Sequence, residues 1–177
     1  MPGSRLGWIP VSGRFAEEVP ANALVVLVGP AGSGKSTWAA HHFPPSAVLS
    51  SDGFRELVAG DAADQSATAD AFKVLHAVAR ARLRRGLLTV VDATNLTEGA
   101  RRALLRLATR DGRPAVAVAF DIPLERCLAQ NATRPARRVP DEVVRRHHRE
   151  MRRALPRLAE EGFAQVHVIE GAAVESG

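Results

Sequence analysis

The run Gly29-Pro30-Ala31-Gly32-Ser33-Gly34-Lys35-Ser36 spaces two glycines five apart and follows the second with lysine and serine. Each position has a chemical use. Glycines let the backbone curl until successive N–H groups converge on one anion. A helix beginning near Lys35 adds the positive end of its dipole. A lysine so placed reaches the β- and γ-phosphates of a nucleoside triphosphate, and the serine hydroxyl ligates Mg²⁺. The run follows a valine-rich stretch, Ala23 to Val28, that reads as a buried strand. It therefore sits at a strand-to-helix turn, the context this chemistry requires. ATP and Mg²⁺ are the implied cofactors, with Ser36 as the metal ligand. The loop reads phosphates and not the base, so the donor nucleotide stays open.

Two later features carry acceptor-side chemistry. Asp52 closely follows a second short strand at Val48 and Leu49, where a strand tip next to the donor loop would present an acceptor. A carboxylate there can take the proton of an attacking hydroxyl, or it can simply cap a helix. Arg55, three residues on, faces a neighbouring phosphate if this turn is helical. Arg134, Arg137 and Arg138 lie in a loop over 132–140 that carries Pro135 and Pro140. Guanidinium groups on such a loop can stabilise charge on a phosphoryl group in transit.

The elements that must position these residues alternate. Ser36 to His42 begins a helix that Pro44-Pro45 stops. Phe72, Leu75, Val78, Ala79 and Leu83 recur at helical spacing within a long helix over 66–85, closed by Gly86. Leu87 to Val91 reads as a strand ending at Asp92. A helix begins at Thr97-Glu98 and ends near Asp111-Gly112. Ala115 to Phe120 is the next strand. Pro123 fits the first turn of a short helix to Asn131. A helix from Asp141 to about Glu160 ends at Gly162, and Gln165 to Ile169 is the last strand. Strands alternating with helices specify an α/β fold, a parallel sheet with helices on both faces. Sites in such sheets lie at the carboxyl ends of strands, which is where Gly29, Asp52, Asp92 and Asp121 fall. Residues 1–21 are punctuated by Gly and Pro and read as an N-terminal extension on the surface. Residues 22–177 form the domain, with a lid over about 128–146.

At 177 residues, 46% of them hydrophobic and 24% charged, the chain suits one globular domain. The lone Cys127 excludes an internal disulfide and reads as core. No apolar run approaches the roughly 20 residues of a membrane span. The first twenty residues show no signal-peptide pattern, so a cytoplasmic location is expected. The net charge is +5, and it is not evenly spread. Residues 126–157 hold ten arginines against three acids, a local excess of +7, while the rest of the chain nets −2. That is a footprint for polyanions. A bias toward arginine (22, against only Lys35 and Lys73) supplies part of it. The pairs His41-His42 and His147-His148 are helix neighbours about 100° apart, so neither suits a shared metal.

Taken together, these strings resemble the kinase module of bacterial polynucleotide kinase–phosphatases. The matching strings are Gly29 to Thr37, Ser51-Asp52-Gly53-Phe54-Arg55, Asp64-Gln65-Ser66-Ala67-Thr68, Val91-Asp92-Ala93-Thr94-Asn95, Asn131 to Pro140, and Glu161-Gly162-Phe163. They occur in family order across about 22–170. The resemblance implies a P-loop kinase fold, with five strands in order 2-3-1-4-5 and an arginine-rich lid. It implies that Gly29 through Thr37, Arg134 and Arg138 hold the donor. Lys35, Asp52 and Arg134 would be catalytic. Asp52, Arg55 and Asn95 would meet the acceptor, a 5′-hydroxyl end of RNA or DNA, while Asp92 and Asn95 organise the site. Gln130 stands where relatives often carry another arginine, so that phosphate contact is either absent here or supplied by Arg137. No Asp-x-Asp-x-Thr phosphatase motif and no ligase lysine motif appears. Two other readings remain open: a kinase of a small hydroxyl compound, and a nucleotide-dependent switch protein. RNA against DNA, strandedness and oligomeric state are not legible.

Overall fold

A computed structural model describes residues 15–134 and 138–171. Its centre is β1 (Leu24–Val28), five apolar residues all buried. It pairs in parallel with β3 (Thr89–Asp92) on one side and β4 (Ala115–Asp121) on the other. The outer strands are β2 (Val48–Ser50) beside β3 and β5 (Gln165–Glu170) beside β4. The order β2-β3-β1-β4-β5 is the one expected. Successive strand side chains face opposite ways, so β1 feeds two cores. Leu24, Val26 and Val28 meet α4 (Thr68–Arg84) and α5 (Glu98–Arg110) through Leu75, Ala79, Leu83, Leu104 and Ala108. Val25 and Leu27 meet Trp38 and Ala39 of α2 (Lys35–His42). Each fully buried aliphatic side chain contributes about 1.5–3 kcal/mol.

Local chemistry sets the element ends. Thr97 caps α5 by accepting from the Ala100 N–H. Gly86, Gly112 and Gly162 follow helical segments with φ of 69°, 63° and 106°, a region that glycine enters freely.

The N-terminal segment packs on the domain through Phe15 in α1 (Phe15–Glu18) and Val19, which are buried while Glu17 and Glu18 are exposed; Phe15 lies edge-on to Trp38 at 5.0 Å and to His167 at 4.7 Å. Residues 1–14 lie outside the described residues. The turn after β2 is a full helix, α3 (Ser51–Ala59), capped by Ser50 accepting from Gly53 N–H. The last helix is shorter than expected. α7 (Asp141–Ala154) gives way to a 3₁₀ segment, Leu155–Glu160, because Pro156 has no N–H for the helical ladder. α6 (Leu124–Ala132) completes the set. Among the described residues no helix is long and apolar enough to cross a membrane.

Candidate active site

The carboxyl ends of β2, β3 and β1 open onto one cavity of about 550 Å³. Lys35 and Ser36 line it from β1's side, Asp92 and Thr94 from β3's, and Asp52 and Arg55 from β2's. Arg134, Arg138, Arg146 and His147 close it from the lid and α7. The structure thus brings together Lys35, Ser36, Asp52, Arg55, Arg134 and Arg138. Asp52 is not on the strand next to the donor loop, because β3 lies between β2 and β1. Asp121, the fourth acid past a strand end, faces Arg152 at 3.7 Å instead.

The loop from Gly29 to Gly34 depends on its glycines. Gly32 has φ 79°, and a Cβ there would stand 2.1 Å from the Cys127 carbonyl oxygen of α6. Gly34 enters α2 at φ 86°. Gly32→Ala therefore has two independent faults, a left-handed backbone and a collision with another backbone. Its expected outcome is loss of nucleotide affinity of at least about tenfold, together with a lowered melting temperature. Titration calorimetry and thermal unfolding read the two.

Lys35 is buried, and its Nζ donates to Gly29 O (2.9 Å), Pro30 O (2.6 Å) and Ser33 Oγ (3.3 Å). Burial pushes its pKa down to about 8. Asp92 acts against that shift, and Arg134 adds to it. A bound anion would favour the charged ammonium, so above about pH 8 nucleotide binding takes up a proton here. Cys127 behind the loop is buried, its thiol pushed up to about 11 by desolvation, and is chemically quiet.

Ser36 Oγ donates to Asp92 Oδ2 at 2.6 Å. These are two hard oxygen donors at the loop's exit. Among the described residues no group of three or more His, Cys, Asp or Glu could hold a metal. An ion at Ser36 would complete its shell with phosphate and water, the usual habit of Mg²⁺. The collapsed glycine cradle, the buried ammonium and this oxygen pair fit a magnesium nucleotide.

Across the cavity from Lys35, Asp52 and Arg55 form an ion pair over one helical turn, and Arg55 Nε donates to Ala62 O at 2.8 Å. Ser50 caps α3, so Asp52 is not the cap. Asn95 lines an adjoining cavity rather than the main one. Its Nδ2 donates to Leu27 O at 2.8 Å, and its φ of 47° lies in the left-handed region that Asn tolerates. It braces β1 from within.

The lid is anchored by a residue whose part was not legible. Asn131, fully buried, donates Nδ2 to Val139 O (2.8 Å) and accepts from Val139 N–H (3.1 Å). Arg138 faces Asp141 at 3.6 Å and is largely exposed. Arg137 lies outside the described residues. His147, set aside as half of a histidine pair, stands over the phosphate loop, where its Nδ1 accepts from Ala31 N–H at 3.4 Å.

A family profile described as an AAA domain matches residues 24–158. The chain belongs to that family. Among solved structures, this AAA-domain chain is similar to one in the Pnkp1/Rnl/Hen1 RNA repair complex, with 22% identity and a TM-score of 0.66. That match covers 77% of this chain and 46% of the other, so the chain spans under half the length of that relative. It is also similar to a shikimate kinase from Acinetobacter baumannii solved with shikimate, at 21% identity and TM-score 0.51, covering 92% and 89% of the two chains. A gluconokinase from Sinorhizobium meliloti 1021 matches at 17% identity and TM-score 0.53, covering 88% and 86%. No curated protein matches. The AAA domain here has the P-loop kinase fold.

Proposed function

We propose that this AAA domain is an ATP-dependent kinase of polynucleotide 5′-hydroxyl ends. The observation that carries the reading is the shared cavity. A phosphate loop with its lysine and a carboxylate outside that loop face the same space, and four arginines (Arg55, Arg134, Arg138 and Arg146) border it. Guanidinium groups in that number suit an acceptor that brings phosphates of its own.

Bound as the magnesium complex, ATP supplies an activated γ-phosphoryl group. The backbone of Gly29 through Gly34, Ser36 and Thr37 holds the donor, and Ser36, beside Asp92, holds the ion. Lys35 and Arg134 neutralise charge on the phosphoryl oxygens, with Arg138 as a further donor contact. Asp52 would accept the hydroxyl proton as the acceptor oxygen bonds to the γ-phosphorus and the bond from that phosphorus to the β,γ-bridging oxygen breaks, releasing ADP, and Arg55 would orient the carboxylate while meeting an acceptor phosphate. Asn95 keeps β1 and the turn after β3 in register.

The arginine-rich face of α7 extends the same preference outward. Arg145, Arg146 and Arg149 line a surface hollow next to the cavity, and none has an acidic partner among the described residues. A strand lying there releases counterions, so its binding weakens with salt. The test incubates the protein with γ-labelled ATP and a panel of 5′-hydroxyl RNA, 5′-hydroxyl DNA, nucleoside 3′-monophosphates and small alcohols. Label on oligonucleotides, with an acceptor KM that rises about tenfold or more between 50 and 200 mM salt, is the expected result.

A second reading has its own support. The small-molecule kinases named above match nearly the full length of this chain and of their own. Label on a small alcohol with a salt-indifferent KM would decide for it.

A further inference from the structure

We propose that His147 is a phosphate-binding residue, whose Nε2–H donates to the terminal phosphate of the bound nucleoside triphosphate. The inference rests on the reading that the loop holds a triphosphate, and it is independent of the acceptor. His147 lies on α7, three residues after the buried Val144 and four before the buried Met151, on the helix's inward side. It borders the main cavity and also the adjoining one formed with Phe72, Thr94, Asn95 and Leu96. The ring therefore stands where the two spaces meet.

One hydrogen bond fixes its chemistry. Nδ1 accepts from the N–H of Ala31, a residue 116 positions earlier in the phosphate loop. In a neutral imidazole one nitrogen donates and the other accepts. With Nδ1 accepting, the hydrogen sits on Nε2. The ring is kept neutral: burial pushes its pKa down to about 4, and the neighbouring Arg146 and Lys35 cations add to the shift. Among the described residues nothing accepts from Nε2. The side chain is thus a fixed, uncharged donor beside the lysine that reaches the far end of a triphosphate. A diphosphate would leave it without an acceptor, so the contact discriminates between the two nucleotides.

The test is the ratio of dissociation constants for ADP and the non-hydrolysable β,γ-imido analogue of ATP, measured with Mg²⁺ on the full chain. His147→Gln places an amide nitrogen near the position of Nε2. His147→Asn can place its Oδ1 near the position of Nδ1, where it still accepts from the Ala31 N–H, and puts no donor at the position of Nε2. The expected result is a preference for the triphosphate that falls about tenfold in His147→Asn and stays within about threefold of wild type in His147→Gln. Melting temperatures of the two variants verify that both fold. If the two variants behave alike, or if Asn keeps the preference and Gln loses it, His147 only braces the loop and the proposal is overturned. A wild-type protein that binds neither nucleotide would sink the nucleotide reading itself, and this proposal with it. Failure of every oligonucleotide acceptor would leave the His147 result standing.

Discussion

Replacing Asp52 with alanine is expected to lower phosphoryl transfer about 10³-fold while nucleotide affinity stays within about threefold. The separation follows from where the side chains sit. The carboxylate belongs to α3, and Ser50 caps that helix, so the substitution does not uncap it. Arg55 keeps its bond to Ala62 O. Lys35 is tethered to its own loop's carbonyl oxygens, on the other side of β3. Initial rates with a 5′-hydroxyl oligonucleotide and a nucleotide titration measure the two effects. A fall in nucleotide affinity as large as the fall in rate would make Asp52 a scaffold residue and remove the proposed base.

The largest effect on stability is expected at Arg101. Its side chain is only 2% exposed, yet it carries a full charge. It meets Glu161 through both Nε (2.7 Å) and Nη2, and its Nη1 donates to Asn95 O (3.0 Å) and Leu96 O (2.7 Å). Arg101→Met leaves a part-buried carboxylate and two buried carbonyls without their donor. Breaking one half of such a pair costs about 3–5 kcal/mol, a fall in melting temperature of roughly 10 °C for a domain this size. Arg101→Met combined with Glu161→Leu is expected to recover part of that loss, because the remaining charge goes too. Chemical denaturation of the single and double variants tests both statements. An unchanged midpoint in the single variant would show that the pair contributes nothing.

The parts of this site that were legible are those whose residue types have few other uses. Gly34 adopts a left-handed backbone that favours glycine, and its spacing from Gly29 exposed the loop directly. The sheet followed from apolar runs punctuated by Gly86, Gly112 and Gly162. What escaped detection depends on tertiary contact. Ser51-Asp52-Gly53 reads equally as a turn or a helix start, and in the structure it opens α3, which Ser50 caps and which packs on α4. Phe15 sits among glycines and prolines, and nothing local says that its ring reaches Trp38. Arg101 looks like one more solvent-facing arginine on α5 until Glu161, sixty residues later, is brought against it. His147 was weighed against its neighbour in sequence, whereas its partner is Ala31. Pro156 is a visible stop signal, but the spacing of the residues around it carries the helical pattern past it to Glu160.

The placement of β3 between the two reacting halves sets a fixed gauge. Strands in a sheet lie about 4.8 Å apart because main-chain hydrogen bonding holds them there, so β1 and β2 are roughly 10 Å apart whatever side chains they carry. The span from the phosphate cradle to the start of α3 is therefore set largely by the backbone, and the Asp52 carboxylate reaches the cavity from there. Residues of α3, α4 and α7 wall the gap around that spacing. A chain of this architecture can change those walls and still keep its phosphate loop and its carboxylate on one cavity.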